Sequence, residues 1–248
     1  MTFTELWKYS LAEDGWTMSH NAIRLDMADT QEILERIKAA PSVDEWEWTE
    51  LLQWWDRVRE NIQQHHDHEE RIFFPMIRSR VELPPKLSSD HATLIERMTA
   101  LSATVASMCG AKEFDATCLD QLKALAETML PHLLEEEADT LPLMREHFKP
   151  GEVTKRAINP MIKEFAWLEL PHFYRQHHGD LAKSKTHCVN VLGMPGPVWD
   201  YIENLPAKMR KYDALYGAAV VALKEPSRKA DLDAKREAMK KSKACSIS

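Results

Sequence analysis

The chain of 248 residues has little of several features that define other classes of protein. It has only 7 Gly, and alternation of polar and β-branched residues is scarce, so the composition argues against a sheet protein. Its 4 Cys show no CxxC spacing, which predicts reduced thiols in a cytoplasmic protein rather than a disulfide framework. No apolar run approaches the roughly 18 residues of a membrane-spanning helix, and the first residues lack a secretion signal.

The charge balance excludes a further class. The chain has 39 acidic and 32 basic residues, for a formal net charge of -7. An acidic protein has no electrostatic reason to bind a nucleic acid, so we expect no nucleic-acid partner. Together these features predict a soluble, mainly helical protein.

Apolar residues recur at intervals of three and four between residues 17 and 147, which predicts four long helices. The predicted helices cover about 17–40, about 43–78, a segment from the cap signal at 88–90 to Gly110, and the segment from there to about residue 147. Short connections make neighbouring helices antiparallel. The expected fold is therefore all-α, an up-down-up-down four-helix bundle.

One short pattern occurs twice. His65 and His132 are each followed four residues later by a glutamate, Glu69 and Glu136, and ten residues later by a proline. Residues four apart lie on the same face of a helix. Each repeat therefore presents an imidazole and a carboxylate to the same point in space.

The other two predicted helices carry one histidine each on their inward stripes, His20 and His91. At about 1.5 Å per residue, counting from the connecting turns brings both histidines level with the repeated pairs. A lone buried histidine is usually a hydrogen-bonded core residue, but buried carboxylates also need a positive partner. Six polar groups at one height therefore predict a metal site. The predicted metal-binding residues are His20, His65, Glu69, His91, His132 and Glu136.

This constellation resembles the hemerythrin-like (HHE cation-binding) domain over about residues 17–147. The resemblance implies a non-haem di-iron centre of two oxo- or hydroxo-bridged Fe ions, with Glu69 and Glu136 bridging them. It also implies His20 and His65 as terminal ligands of one ion, and His91 and His132 as terminal ligands of the other. Manganese or zinc could use the same donors, because affinity alone does not select the metal.

The sequence departs from the oxygen carriers of that family at Ile95, where their third helix has a second histidine four residues after the first. One imidazole is thus absent, which leaves about one open position on each metal and favours redox chemistry or sensing over simple oxygen carriage. His66 or His68 could substitute, but we expect both at the flank of the site, where each supports a ligand indirectly or is solvated. Three glutamates near the motif are expected to be solvated: Glu70, Glu135 and Glu137.

The rest of the chain divides into two parts. We expect residues 1–147 to form the bundle, 148–223 a helical extension that packs on it, and 224–248 a lysine-rich mobile tail. The histidines of the extension lack an inward period, so we interpret them as surface or packing residues. They are His172, His177, His178 and His187.

The last four residues, Cys245-Ser246-Ile247-Ser248, have the CaaX pattern of a prenylation site, with lysines just upstream. One prenyl chain and a polybasic patch together can hold a protein on an anionic membrane. In a eukaryote, modification of Cys245 would place the protein at the cytosolic face of a membrane. The alternative is an accidental cysteine in the tail.

Three functions follow from these features. The first is a protein that binds O2 or a related small ligand for sensing or for iron and redox handling. The second is a di-iron enzyme that reduces peroxide or nitric oxide, or oxygenates a small substrate. The third is a bundle in which the metal is purely structural.

Replacement of Cys245 by Ser tests the lipid anchor. The variant should leave the membrane fraction of eukaryotic cells, because the lysine patch alone is a weak anchor. The Ser246→Ala variant keeps the cysteine and should stay in place. Fractionation followed by immunoblotting measures both, and an unchanged distribution of the Cys245 variant would contradict prenylation.

Overall fold

The computed structural model describes residues 2–161, 180–190, 196, 199, 211–212 and 216–244. In these residues the regular structure is entirely helical, as the composition predicts. The α-helices are α1 Gly15–Ala39, α2 Glu45–His68, α3 Phe74–Arg78, α4 Pro85–Ala111, α5 Thr117–Glu135, α6 Leu141–His147, α7 Pro150–Val153, α8 Leu181–Asn190, α9 Ala218–Lys224 and α10 Lys229–Ala244.

The four long helices form a closed ring around one core. Helices α1 and α4 each pack against both α2 and α5. Two buried tryptophans of α2 tie it to its neighbours: the Trp54 indole donates to Thr30 Oγ1 on α1 at 3.1 Å, and the Trp55 indole donates to Ser102 Oγ on α4 at 2.8 Å. The all-α class is confirmed, and the up-down-up-down order of the helices stays a prediction.

The start of α4 corrects one prediction. The helix begins at Pro85, ahead of the cap signal predicted at 88–90, and continues past Gly110 to Ala111. A proline is favoured in the first turn because its backbone has no N–H to leave unpaired and its φ is already helical. Ser89 lies inside the helix, where its hydroxyl donates to the carbonyl of Lys86 at 2.8 Å.

Both copies of the repeated motif contain a π-helical turn that begins at the glutamate. These turns are Glu69–Phe73 and Glu136–Thr140, so the second predicted helix does not run unbroken to residue 78. Each turn ends two residues before the proline of its repeat, and a third such turn, Thr154–Ile158, precedes Pro160 in the same way. In an α-helix a proline clashes with the carbonyl four residues earlier, and the wider turn relieves that clash.

Helices α9 and α10 contact the bundle. Val220 and Leu223 of α9 join the core of the long helices. On α10, Leu232 is buried, and Arg236 one turn later donates to both carboxylate oxygens of Glu50 at 2.6 and 2.7 Å. The segment after Lys224 was expected to be mobile, but most of it is helical, because an apolar residue and an arginine share one face of α10.

Parts of the extension are described, and they too contact the bundle. Trp199 and Cys188 belong to an apolar cluster with Phe74 of α3. The rings of Tyr212 and Tyr216 lie 5.5 and 5.7 Å from the guanidinium carbon of Arg57 on α2. These contacts agree with an extension that packs on the bundle. The first and last residues of the extension stay predictions.

Several residues named from the sequence lie outside the described residues, among them His172, His177, His178 and Cys245. Their roles, including prenylation of Cys245, stay predictions. His187 is half-buried on α8. None of the described helices is both long and apolar enough to cross a membrane.

The Arg236→Ala variant tests the attachment of α10. Loss of the Arg236 guanidinium leaves the buried carboxylate of Glu50 without this partner, which should lower the free energy of unfolding by about 1–3 kcal/mol. The Lys240→Ala variant removes an exposed pair within α10 and should change stability by less than about 0.5 kcal/mol. Denaturant unfolding compares the two, and equal midpoints would show that the Glu50 pair contributes nothing.

Candidate metal centre

The structure brings all six predicted metal-binding residues together in the core of the bundle. Each of them is at most 5% exposed. They come from the beginning of α1, the end of α2 and the π-turn after it, the beginning of α4, and the end of α5 and the π-turn after it: His20, His65, Glu69, His91, His132 and Glu136.

The two oxygens of Glu69 face different imidazoles. Its Oε1 lies 3.0 Å from Nε2 of His65 and 3.7 Å from Nε2 of His20. Its Oε2 lies 3.4 Å from Nε2 of His91. One carboxylate therefore spans the space between two groups of histidines.

Glu136 also spans the space between the two groups of histidines. Its Oε2 lies 3.3 Å from Nε2 of His20, and its Oε1 lies 3.5 Å from Nε2 of His132 and 3.8 Å from Nε2 of His91. Each carboxylate thus offers one oxygen to each group of histidines. This arrangement allows two cations to be bridged by both carboxylates, with the division of imidazoles that the family resemblance implies.

A further histidine, His66, lies beside the six predicted residues in the structure. Among the described residues, two groups have ligand atoms that all lie within 4.8 Å of one another: His20, His65, Glu69 and Glu136 in one, and His66, His91 and His132 in the other. His66 is 1% exposed and stacks on His91 with ring centroids 4.3 Å apart. His68 is equally buried. Neither is therefore a solvated residue at the flank.

Helix geometry explains how His65 and His66 both face the centre. Successive residues of an α-helix are about 100° apart, so two neighbours can flank a site that lies between their directions. The spacing of four in the repeated motif links His65 to Glu69 and does not by itself bring the neighbouring His66 to the centre. The doubled histidine in the sequence was the available signal.

The unpaired atoms of this cluster fit a cation. Within the described chain, Nε2 of His20, His65, His91 and His132 makes no aligned hydrogen bond. The same is true of both ring nitrogens of His66, Oε2 of Glu69 and both oxygens of Glu136. A buried polar atom without a partner costs about 1–3 kcal/mol, and nearly all such atoms in proteins are paired. Imidazoles and carboxylates are donors that suit iron, manganese or zinc.

The pKa values of the buried groups shift in both directions: although burial opposes the charged form, neighbouring carboxylates raise the pKa of His91 to about 9 and that of His20 well above its ordinary value. Burial, together with the negative charge of Glu69, raises the pKa of Glu136 to about 7. Burial lowers the pKa of His66 well below its ordinary value and that of His132 to about 4. The imidazoles of His66 and His132 are therefore neutral, the form in which a histidine can bind a metal.

Two glutamates support the histidines from outside the cluster. Glu137 Oε1 lies 2.8 Å from Nδ1 of His20, and Glu70 Oε1 lies 2.8 Å from Nδ1 of His91. A carboxylate at Nδ1 holds a proton there and leaves the Nε2 lone pair directed to the centre. The expectation that Glu70 and Glu137 are merely solvated is therefore wrong. The sequence signal was the second glutamate in each repeat.

A third acidic residue has a similar position. Asp90 Oδ2 lies 3.5 Å from Nδ1 of His132 and 2.7 Å from Nζ of Lys86. Lys86 also pairs with Glu135. Glu135 thus contacts a lysine rather than a histidine, and it is the one member of the three glutamates without an imidazole partner among the described residues.

Sequence reasoning also missed Trp16. Its indole nitrogen donates to Oε1 of Glu69 at 2.5 Å, and the residue is 6% exposed. Trp16, Phe73 and Met144 line a cavity of about 210 Å³, to which none of the six predicted metal-binding residues contributes. No short motif connects Trp16 to Glu69, because 53 residues separate them.

A helical bundle with two histidine and carboxylate groups in its core defines a class of cation-binding domain. The family model of the hemerythrin HHE cation binding domain matches residues 12–144, more than half of the chain. The chain belongs to this family. No curated protein and no solved structure matches it.

The Glu137→Gln variant tests the support of His20. Loss of the carboxylate charge should weaken metal binding by about 10- to 100-fold, the usual cost of losing such a partner. The Glu127→Gln variant, at an exposed position of α5, should bind as the wild type does. Competition with a chelator measures both affinities, and equal values would show that Glu137 does not act on His20.

Proposed function

We propose that the protein holds a non-haem di-iron centre that binds O2 or a related small ligand, for sensing or for iron and redox handling. One observation carries the proposal: Glu69 and Glu136 each direct one oxygen to each of two imidazole groups. Membership of a cation-binding family and the unpaired ligand atoms support it.

The residues that would hold the two irons are those of the two groups. His20 and His65 would bind one ion, His91 and His132 the other, and Glu69 and Glu136 would bind both. The irons would supply an open position for a small ligand and electrons that can pass to it. The Trp16 indole fixes one bridging carboxylate through its hydrogen bond.

Ile95 gives the centre no further imidazole. Its side chain is 39% exposed and supplies no donor. The buried ring of Phe74 is parallel to that of His91, with centroids 5.6 Å apart, and makes an apolar contact on this side of the site. The six predicted residues would thus leave room for a small ligand at the metals.

The alternative is a di-iron enzyme that reduces peroxide or nitric oxide, or oxygenates a small substrate. The cavity lined by Trp16 favours this alternative, because an oxygenase needs an apolar pocket near its metals and Trp16 contacts Glu69. At about 210 Å³ the cavity has room only for a small molecule. Reversible binding without turnover distinguishes the first function from the second.

Metal analysis combined with optical spectra tests the proposal. The purified protein should contain two irons per chain, and the anaerobically reduced form should develop a stable, reversible band on exposure to O2. Steady consumption of peroxide or of O2 would instead favour the enzyme. A protein that takes up no iron, manganese or zinc would contradict both.

The Glu136→Ala variant tests the bridge. Without that carboxylate both ions lose an oxygen donor and a negative charge, so at least one metal should be lost from each chain. The Glu127→Ala variant should keep both. Elemental analysis after gel filtration measures the ratio, and two metals per chain in the Glu136 variant would contradict the assignment.

A further inference from the structure

The two imidazole groups of the centre are unequal, and the difference is His66. One group has two histidines, His20 and His65, whereas the other has three. His66 thus stands beside His91 and His132, in the group with the larger number of imidazoles. This inference rests on the proposed di-metal function and concerns one additional residue.

The surroundings of His66 are those of a ligand. Its ring is 1% exposed, it stacks on His91 at 4.3 Å, and its centroid lies 5.7 Å from that of His132 at a steep angle. Both ring nitrogens lack a hydrogen-bond partner among the described residues. A core histidine is normally hydrogen-bonded, so packing alone does not explain this one.

His68 provides a comparison within the same turn of helix. It is also 1% exposed, but it has an interaction partner and belongs to neither group of ligand atoms. A histidine can therefore be buried at this end of α2 without having its ring nitrogens close to other ligand atoms. His66 combines burial, unpaired nitrogens and proximity to two further imidazoles.

We propose that His66 is a protein ligand of the cation held by His91 and His132. With one oxygen from each of Glu69 and Glu136, that cation has five protein donors, and the cation at His20 and His65 has four. The protein would thus occupy one more coordination position on the cation at His91 and His132 than on the cation at His20 and His65.

The location of Trp16 agrees with this difference. Its indole donates to Oε1 of Glu69, the oxygen that faces His20 and His65. The Trp16 ring also lies beside that of His20, with centroids 6.3 Å apart.

Cobalt(II) titration of the full chain tests the role of His66. The wild type should bind two equivalents. His66→Ala and His66→Phe should bind the first with unchanged affinity and the second at least about 100-fold more weakly, because even an indirect partner costs 10- to 100-fold. The visible absorption of Co(II) reports the coordination of each site. His66→Glu supplies another donor and should restore the second equivalent.

The His68→Ala variant is the matched control and should bind two equivalents. If both His66 variants bind two equivalents with wild-type affinities and spectra, His66 is not a ligand, and the di-metal function stands. If the wild type itself binds fewer than two, the proposed function fails instead. If the metal-free Ala and Phe variants both lose their helical circular dichroism and Glu does not restore it, His66 is structural and the inference is overturned.

Discussion

The structure depends on the burial of two carboxylates, Glu69 and Glu136, in the core of the bundle. An ionised carboxyl group in such a place costs several kcal/mol unless positive charge and hydrogen bonds compensate it. Each side chain is at most 1% exposed. The imidazoles of four surrounding histidines face the pair with Nε2, and a cation between the groups would complete the compensation.

Each copy of the repeated motif supplies one of the two buried carboxylates together with a histidine close to it. In each copy the histidine, the glutamate, the π-turn and the proline follow one another in the same order. The first glutamate of each copy points to the centre. The next glutamate contacts a histidine of a different helix: Glu70 contacts His91, and Glu137 contacts His20. Metal binding and packing of the four helices are thereby coupled, so a metal that binds the folded state also stabilises it.

The coupling does not make the two halves of the centre equal. Around His91 and His132 the protein places a third imidazole, that of His66, and a phenyl ring parallel to that of His91. Around His20 and His65 it places two imidazoles and a carboxylate that accepts a hydrogen bond from Trp16. With His66 as a ligand, the two cations would have unequal numbers of protein donors, and an open position would suit the binding of a small molecule better than a purely structural role.

The sequence by itself determined the four long helices, the shared height of the six predicted metal-binding residues and the family, because helical periodicity and residues four apart are local properties. The tertiary structure decided which further residues reach the centre. Trp16 meets Glu69 across 53 residues of sequence, and His66 faces inward only because α2 is rotated so that two neighbours flank the site. The attachment of α10 through Glu50 likewise depends on a contact 186 residues away. Such contacts follow from how helices pack, and no local pattern encodes them.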